Sequence, residues 1–301
     1  MSVNEKNLVF IASGGRTGTT FFGEKLGQII EDCHSSHEPE VLQTKNLLNR
    51  DKLRTFGIWE MLIGRLLGKT GTRVLGTRLL FDDMDFDTVA QRLRRSRARW
   101  HAQVEEGLIV ESNGPLWLVA HELDRIWPGA KLVGIVRDPR TWVRSFMNYE
   151  GRYDSRDPVD FFPPGRLTPA KLGQADLAAR WPDWGTFEKL AWEWTIINRR
   201  LIEAVDRQPN ARLWRFEDLF NGQPKTAEEL VDFVCDHGAR QYAHKPVSDF
   251  LGKRVNVSRG AAKDWDSWTP YQARFVDELC GEQMTRLGYG QEPEWKALLN
   301  G

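Results

Sequence analysis

Short apolar runs alternate along the chain with stretches whose apolar residues recur at the helical period. The runs are Leu8–Ala12, Arg73–Arg78, Leu108–Glu111, Lys131–Val136 and Arg212–Phe216, and their length and composition predict buried strands. After the first run comes a glycine-rich turn. Phe22, Leu26, Ile29, Ile30 and Cys33 then fall at i, i+4, i+7, i+8 and i+11, which predicts a helix with one apolar face. A second helix is predicted over about Thr186 to Val205, with Trp192, Trp194, Ile197 and Leu201 in its pattern. Strands alternating with helices imply an α/β fold: a three-layer sandwich with a mostly parallel central sheet.

The pattern breaks between about 150 and 185. Pro158, Pro163, Pro164, Pro169 and Pro182 interrupt it, with aromatics on either side. This reads as a long excursion from a single domain spanning 1–301, not as a boundary, and long ordered loops are usually functional. The excursion is the expected substrate-binding element. Phe146, Tyr149, Tyr153, Phe161, Phe162, Trp181, Trp184, Trp192 and Trp194 offer stacking surfaces for a sugar ring or a phenol, although more of them are expected in the core than in a pocket. The arginines at 92, 94, 95, 97 and 99 read as a solvated helix face, the sharper alternative being a contact surface for a polyanionic acceptor such as a glycan.

Composition narrows the class. Lys plus Arg (42) balances Asp plus Glu (42) over 301 residues, so no global field recruits nucleic acid or a membrane surface. Any anion site must be built locally. Cys33, Cys235 and Cys280 form no CxxC pair and no evident disulfide framework, which fits a reducing compartment. No segment has the length and apolarity of a transmembrane helix or a signal-peptide core, so the expected location is the cytoplasm.

The candidate chemistry begins at Ser13-Gly14-Gly15-Arg16-Thr17-Gly18-Thr19-Thr20, between the first strand and the first helix. Glycines allow a tight turn and close approach to an anion, and the helix start presents unpaired N–H groups. A glycine turn that merely caps a helix is the competing reading. Arg16 and the hydroxyls of Thr17, Thr19 and Thr20 favour an anion. The triphosphate-binding pattern GxxxxGK[ST] needs lysine after its last glycine; here Thr19 stands there, so the residue set does not suit a magnesium-bound triphosphate.

A second segment starts where Lys131–Val136 ends at Arg137-Asp138-Pro139. Asp138 is a good N-cap and Pro139 a good first helical residue. Arg137 therefore leaves a strand end, where open α/β sheets bind ligands, and Ser145 follows inside the helix on a turn able to face the same place. A structural salt bridge at a helix start is the alternative for the Arg-Asp pair. A third segment, Ser258-Arg259-Gly260-Ala261-Ala262-Lys263-Asp264-Trp265, is weak alone.

Taken together, these segments resemble the family of sulfotransferases that use 3′-phosphoadenosine 5′-phosphosulfate (PAPS). Gly15-Arg16-Thr17-Gly18-Thr19-Thr20 looks like that family's 5′-phosphosulfate loop, and Arg137 through Ser145 like its 3′-phosphate segment. Ser258-Arg259-Gly260 with Asp264-Trp265 is similar to its late Arg-Lys-Gly…Gly-Asp-Trp element, and Trp214-Arg215-Phe216-Glu217-Asp218-Leu219 to a Tyr-Glu-Asp-Leu segment. The resemblance runs in order from Leu8 to about Thr269. It implies a P-loop-like nucleotide-binding fold, PAPS as donor, adenosine 3′,5′-bisphosphate (PAP) as product and no required metal. The acceptor would be a saccharide, phenol or small alcohol offering a hydroxyl, or an amine.

The resemblance also implies roles. Gly15, Arg16, Thr17, Gly18, Thr19, Thr20, Arg137, Ser145, Ser258, Arg259 and Gly260 would hold the donor, with Arg16 stabilising charge on the leaving oxygen. Ser258 and Lys263 depart from the family's late element. The phenol-type branch carries a histidine after its third strand, but here Gly76-Thr77-Arg78-Leu79-Leu80 has none. Ser36-His37-Glu38-Pro39 resembles the His/Lys-Glu element of carbohydrate sulfotransferases, which makes Glu38 the candidate base and His37 the second; Arg78 is a candidate contact to the sulfonate or an acidic acceptor. Two other classes stay open: a metal-dependent nucleotide kinase, and a non-catalytic module binding adenosine bisphosphate.

Overall fold

The computed structural model describes residues 6–41, 50–148, 152–153, 157, 159–220, 224–247, 262 and 264–301. Its strands are β1 (Asn7–Ser13), β2 (Cys33–His37), β3 (Leu108–Ser112), β4 (Lys131–Val136) and β5 (Ala211–Arg215). They form one parallel sheet in the order β2-β3-β1-β4-β5. The helices used below are α1 (Thr19–Ile29), α2 (Arg50–Ile58), α3 (Thr72–Leu80), α4 (Phe86–Gln103), α5 (Pro139–Met147), α6 (Thr186–Arg207), α7 (Pro224–Cys235) and α8 (Pro270–Arg286).

The central strands are buried along their length, which is why β1 and β4 read as apolar runs without alternation. Successive side chains still point to opposite faces. Val9, Ile11, Val133 and Ile135 pack with Phe21, Phe22 and Leu26 of α1. Phe10, Ala12, Leu132 and Val136 pack with Trp142 and Val143 of α5 and with Leu190, Ile197 and Leu201 of α6. The result is the three-layer α/β sandwich that the pattern predicts.

From β1 the chain runs toward β2 at one edge, and from the neighbouring β4 it runs toward β5 at the other. The connections diverge between these two adjacent strands. A crevice therefore opens at their carboxyl ends, where doubly wound sheets take ligands.

Three expectations need correction. Arg73–Arg78 is not a strand but part of α3, because the Glu40 carboxylate accepts the Thr72 N–H at 2.8 Å and starts a helix there. A short apolar run next to glycine fits a strand or a buried helix equally well. The first helix stops at Ile29, and Cys33 opens β2 instead of closing the helix face. The sequence Cys-His-Ser-Ser-His hides that strand, since an edge strand need not carry an apolar run. Last, the arginine run is not wholly solvated: Arg97 is 0% exposed.

Arg97 ties three elements together. Its Nε and Nη2 donate to Glu111 of β3 at 2.9 and 2.6 Å, Nη2 also donates to the Thr72 hydroxyl at 2.8 Å, and Nη1 reaches the Glu40 carboxylate. Burial raises the Glu111 pKa, but the charge and hydrogen bonds of Arg97 outweigh it and hold the carboxyl below its usual range. Among the described residues, no helix is long and apolar enough to cross a membrane. Replacing Arg97 by Met leaves Glu111 buried without its cation and Glu40 with Arg65 alone, so the expected loss is about 3–5 kcal/mol of unfolding free energy. Urea denaturation measures it, and a loss under about 1 kcal/mol would show that the knot is not held by charge.

Candidate active site

The link from β1 to α1 is a left-handed turn. Gly15, Arg16 and Gly18 have φ of 79°, 58° and 80°. Ser13, at the end of β1, accepts the Gly15 N–H at 3.1 Å and the Thr17 hydroxyl at 2.7 Å, and the Trp142 indole donates to the Gly15 carbonyl at 3.1 Å. Gly18 then caps α1, whose first turn carries no acidic residue. Its N–H groups and the positive end of its dipole face the crevice opening, the arrangement that favours an anion.

The second segment closes on this turn. Asp138 accepts the Arg140 N–H at 2.8 Å and Pro139 opens α5, as the sequence predicts. Arg137 Nη1 donates to the Arg16 carbonyl at 2.7 Å, and Arg16 Nε donates to Ser145 Oγ at 3.1 Å. The guanidinium of Arg137 also sits 4.6 Å above the Phe216 ring, and the Trp194 indole fixes the Arg137 carbonyl at 2.8 Å. Burial lowers the Arg137 pKa; Glu217 opposes this, while Arg144 and Arg16 lower it further. The two anion segments of the sequence therefore meet at one residue, Arg16.

Around them lies a cavity of about 820 Å³, within the size range of small-molecule sites. Gly15, Arg16, Gly18, Thr19, Thr20, His37, Glu38, Arg137 and Ser145 all line it. Thr17 does not; its buried hydroxyl braces the loop through Ser13. The charged side chains on its wall are six arginines (16, 73, 137, 144, 152 and 166) against two glutamates, Glu38 and Glu193. A chain neutral overall has here concentrated positive charge in one place.

His37 and Glu38 leave the end of β2. His37 Nδ1 lies 3.2 Å from the Ser112 carbonyl, which only accepts, so the neutral ring carries its proton there and Nε2 accepts the Thr20 hydroxyl at 3.2 Å. Glu38 has φ of 42°, and its N–H donates to the Ser112 carbonyl at 3.0 Å. Arg78 stands apart: its Nε donates to the Gly68 carbonyl at 2.6 Å, and it is not among the lining residues. Arg73, one helical turn and a half earlier on α3, lines the cavity instead.

Ser258, Arg259 and Gly260 lie outside the described residues. The described end of that segment docks on α5: the Ala262 N–H donates to Asn148 Oδ1 at 2.9 Å, Asp264 pairs with Arg144, and Arg140 lies 4.5 Å over the Trp265 ring.

Residues 87–258 match the family described as "Sulfotransferase domain". The chain belongs to the sulfotransferase family. No curated protein matches it. Solved structures similar to this sulfotransferase include the sulfotransferase domain from the curacin biosynthetic pathway, at 14% identity over 98% of this chain and 96% of that one, with a TM-score of 0.41. A sulfotransferase from Alicyclobacillus acidocaldarius is 14% identical over 97% and 99%, with a TM-score of 0.43. Sulfotransferase STF9 from Mycobacterium avium is 11% identical over 94% and 77%, with a TM-score of 0.49.

Sequence reasoning did not find Arg144, Arg152, Arg166 or Glu193 of this sulfotransferase, which come from α5, the excursion and α6. The one signal was the excursion itself, from which Val159, Gly165, Arg166 and Leu167 line the cavity. Of the described aromatics between 146 and 194, only Phe146 does so; Trp181, Trp184 and Trp192 pack on one another. A Cβ on Gly18 would stand 2.7 Å from Phe220 Cζ, at a φ of 80° that disfavours side chains. Gly18→Ala should therefore lower unfolding free energy by at least ~1–2 kcal/mol, the cost of a left-handed non-glycine residue. Thermal or urea unfolding checks this, and an unchanged midpoint would show that the turn relaxes freely.

Proposed function

We propose that this sulfotransferase moves a sulfonate group from PAPS to a hydroxyl or amine of a saccharide, phenol or small alcohol. The observation that carries the reading is the convergence of Arg137 and Ser145 on Arg16, beside the acid-free start of α1. The donor is anionic at both ends, and the cavity offers cationic and hydroxyl donors at two adjoining places. It supplies an activated sulfonate whose leaving group is a phosphate oxygen.

In this reading the backbone around Gly15–Gly18 and the hydroxyls of Thr19 and Thr20 hold the 5′ end. Arg137 and Ser145, with Ser258, Arg259 and Gly260, hold the 3′-phosphate. Arg16 stabilises the charge that grows on the leaving oxygen; fixed donors of this kind contribute most when they need no rearrangement. Thr17 supports the loop from behind.

Glu38 takes the proton of the acceptor. The engagement of both His37 nitrogens, with Ser112 and Thr20, supports a different role for that ring: it orients the Thr20 hydroxyl. Arg78 has no part in the chemistry. The chain acts as one domain, with the excursion at about 150–185 forming the acceptor wall. Cys33, Cys235 and Cys280 are buried free thiols, each pushed up to about 12 chiefly by burial, which suits a reducing cytoplasm.

Thermal-shift titration tests the donor. PAP at a hundredfold excess over Kd should stabilise the fold by about 2.7 kcal/mol, whereas ATP with Mg²⁺ should shift it far less. A preference for ATP·Mg²⁺ would instead make the protein a nucleotide kinase. With an accepted substrate, Glu38→Gln should lower kcat ~10²–10⁴-fold, the range of a lost general base. His37→Ala should fall short of that loss; the reverse order would move the base to His37.

A further inference from the structure

We propose that the acceptor is an acid: Arg73 pairs with a carboxylate, or with a phosphate or sulfate ester, on the molecule that receives the sulfonate. This deepens the reading above and rests on it.

Besides the residues assigned to the donor, the cavity wall carries Arg73, Arg152, Arg166 and Glu193. Arg152 holds Glu193 through two hydrogen bonds, at 2.9 and 2.5 Å. Arg166 holds Asp157 in the same forked way, at 2.5 and 3.0 Å. Two arginines are thereby matched one to one with two carboxylates. Arg65, also near, is 3.2 Å from Glu40. Among the described residues, no carboxylate lies within ion-pair distance of Arg73, and no group accepts a hydrogen bond from it.

Three effects make that cation unfavourable where it stands. It is half-buried, and charge removed from water needs a partner. It lies in the first turn of α3, where the helix dipole is positive. Its neighbours include two further arginines: burial, then the charges of Arg166 and Arg65, together pull its pKa down to about 10 against the opposing charge of Asp157. An anion on the acceptor relieves all three. A guanidinium presents the flat fork that carboxylate, phosphate and sulfate accept.

The donor does not account for Arg73. Arg73 stands on α3, which carries none of the residues assigned to the donor, and the charged groups around it are Arg166 and Asp157 of the excursion and Arg65. Arg73 therefore belongs with the excursion side of the cavity, where the acceptor must lie if the donor fills the loop.

The test uses the full chain saturated with PAP and three matched pairs: 4-hydroxyphenylacetate and its amide, glucuronate and glucose, glucose 6-phosphate and glucose. At least one acid should raise the melting temperature while its neutral partner does not, and the nature of that acid separates carboxylate from phosphate recognition. Arg73→Gln should weaken the acid at least tenfold, leave PAP affinity within about threefold, and melt without ligand no lower than the native chain. Equal shifts from acid and neutral partner, no shift from any acid, or full acid affinity in Arg73→Gln would overturn the inference. So would a lower melting temperature of ligand-free Arg73→Gln, which would mark a structural ion pair. If PAP itself fails to shift the native chain, the donor reading falls, and this inference with it.

Discussion

The backbone of Arg16 is held in the left-handed region, and both candidate anion-binding segments depend on that. With φ at 58°, its carbonyl meets the Arg137 guanidinium while its side chain meets Ser145. A left-handed conformation costs a non-glycine residue about 1–2 kcal/mol. A hydrogen bond from a charged donor contributes about 1.5–3 kcal/mol, so the contact with Arg137 is large enough to offset the strain. Sequence, conformation and contact are coupled here: Gly15 and Gly18 admit the turn, the turn aims the carbonyl, and the carbonyl fixes the strand-end arginine.

The aromatic content of the chain serves the same geometry. Trp142 and Trp194 are buried, and each uses its single N–H on a carbonyl of the site, Gly15 and Arg137 respectively. Their rings fill the layer beneath the crevice while their polar ends restrain its rim. This explains why a polar site can rest on so apolar a floor. Large rings need partners for their N–H groups when buried, and the loop needs its carbonyls turned away from an incoming anion. One hydrogen bond satisfies both demands.

Most of the fold was legible because β1, β3 and β4 are buried inner strands with apolar runs, and β5, at the far edge, still carries Leu213 and Trp214 in a short run of its own. β2 was not, since an edge strand reading Cys-His-Ser-Ser-His has no hydrophobic signature, and α3 was misread because its short apolar run carries no period. The residues proposed for the donor stand out in the sequence because they are local: glycines, hydroxyls and an arginine lie within eight consecutive residues, and Arg137 and Ser145 within a single strand-helix turn. Those of the acceptor side do not. Arg73, Arg152, Arg166 and Glu193 come from distant parts of the chain, and arginine followed by nothing distinctive gives no pattern. Arg97 shows the same limit in reverse, since only the fold reveals which member of an arginine run is buried.

That buried arginine also bears on the chemistry. Glu40 accepts the Thr72 N–H and pairs with Arg97, and Arg97 is locked to Glu111 at the carboxyl end of β3. Glu38 lies two residues before Glu40, and Arg73 directly follows Thr72. The candidate base and Arg73 are therefore each close in the chain to one knot of ion pairs that is removed from solvent. Because Glu40 holds the Thr72 N–H, the segments that carry Glu38 and Arg73 are pinned together, which restrains their spacing across the cavity wall. An acidic acceptor would then be positioned by its charge at Arg73 and relieved of its proton at Glu38, with the distance between those events set by a network that never touches the substrate.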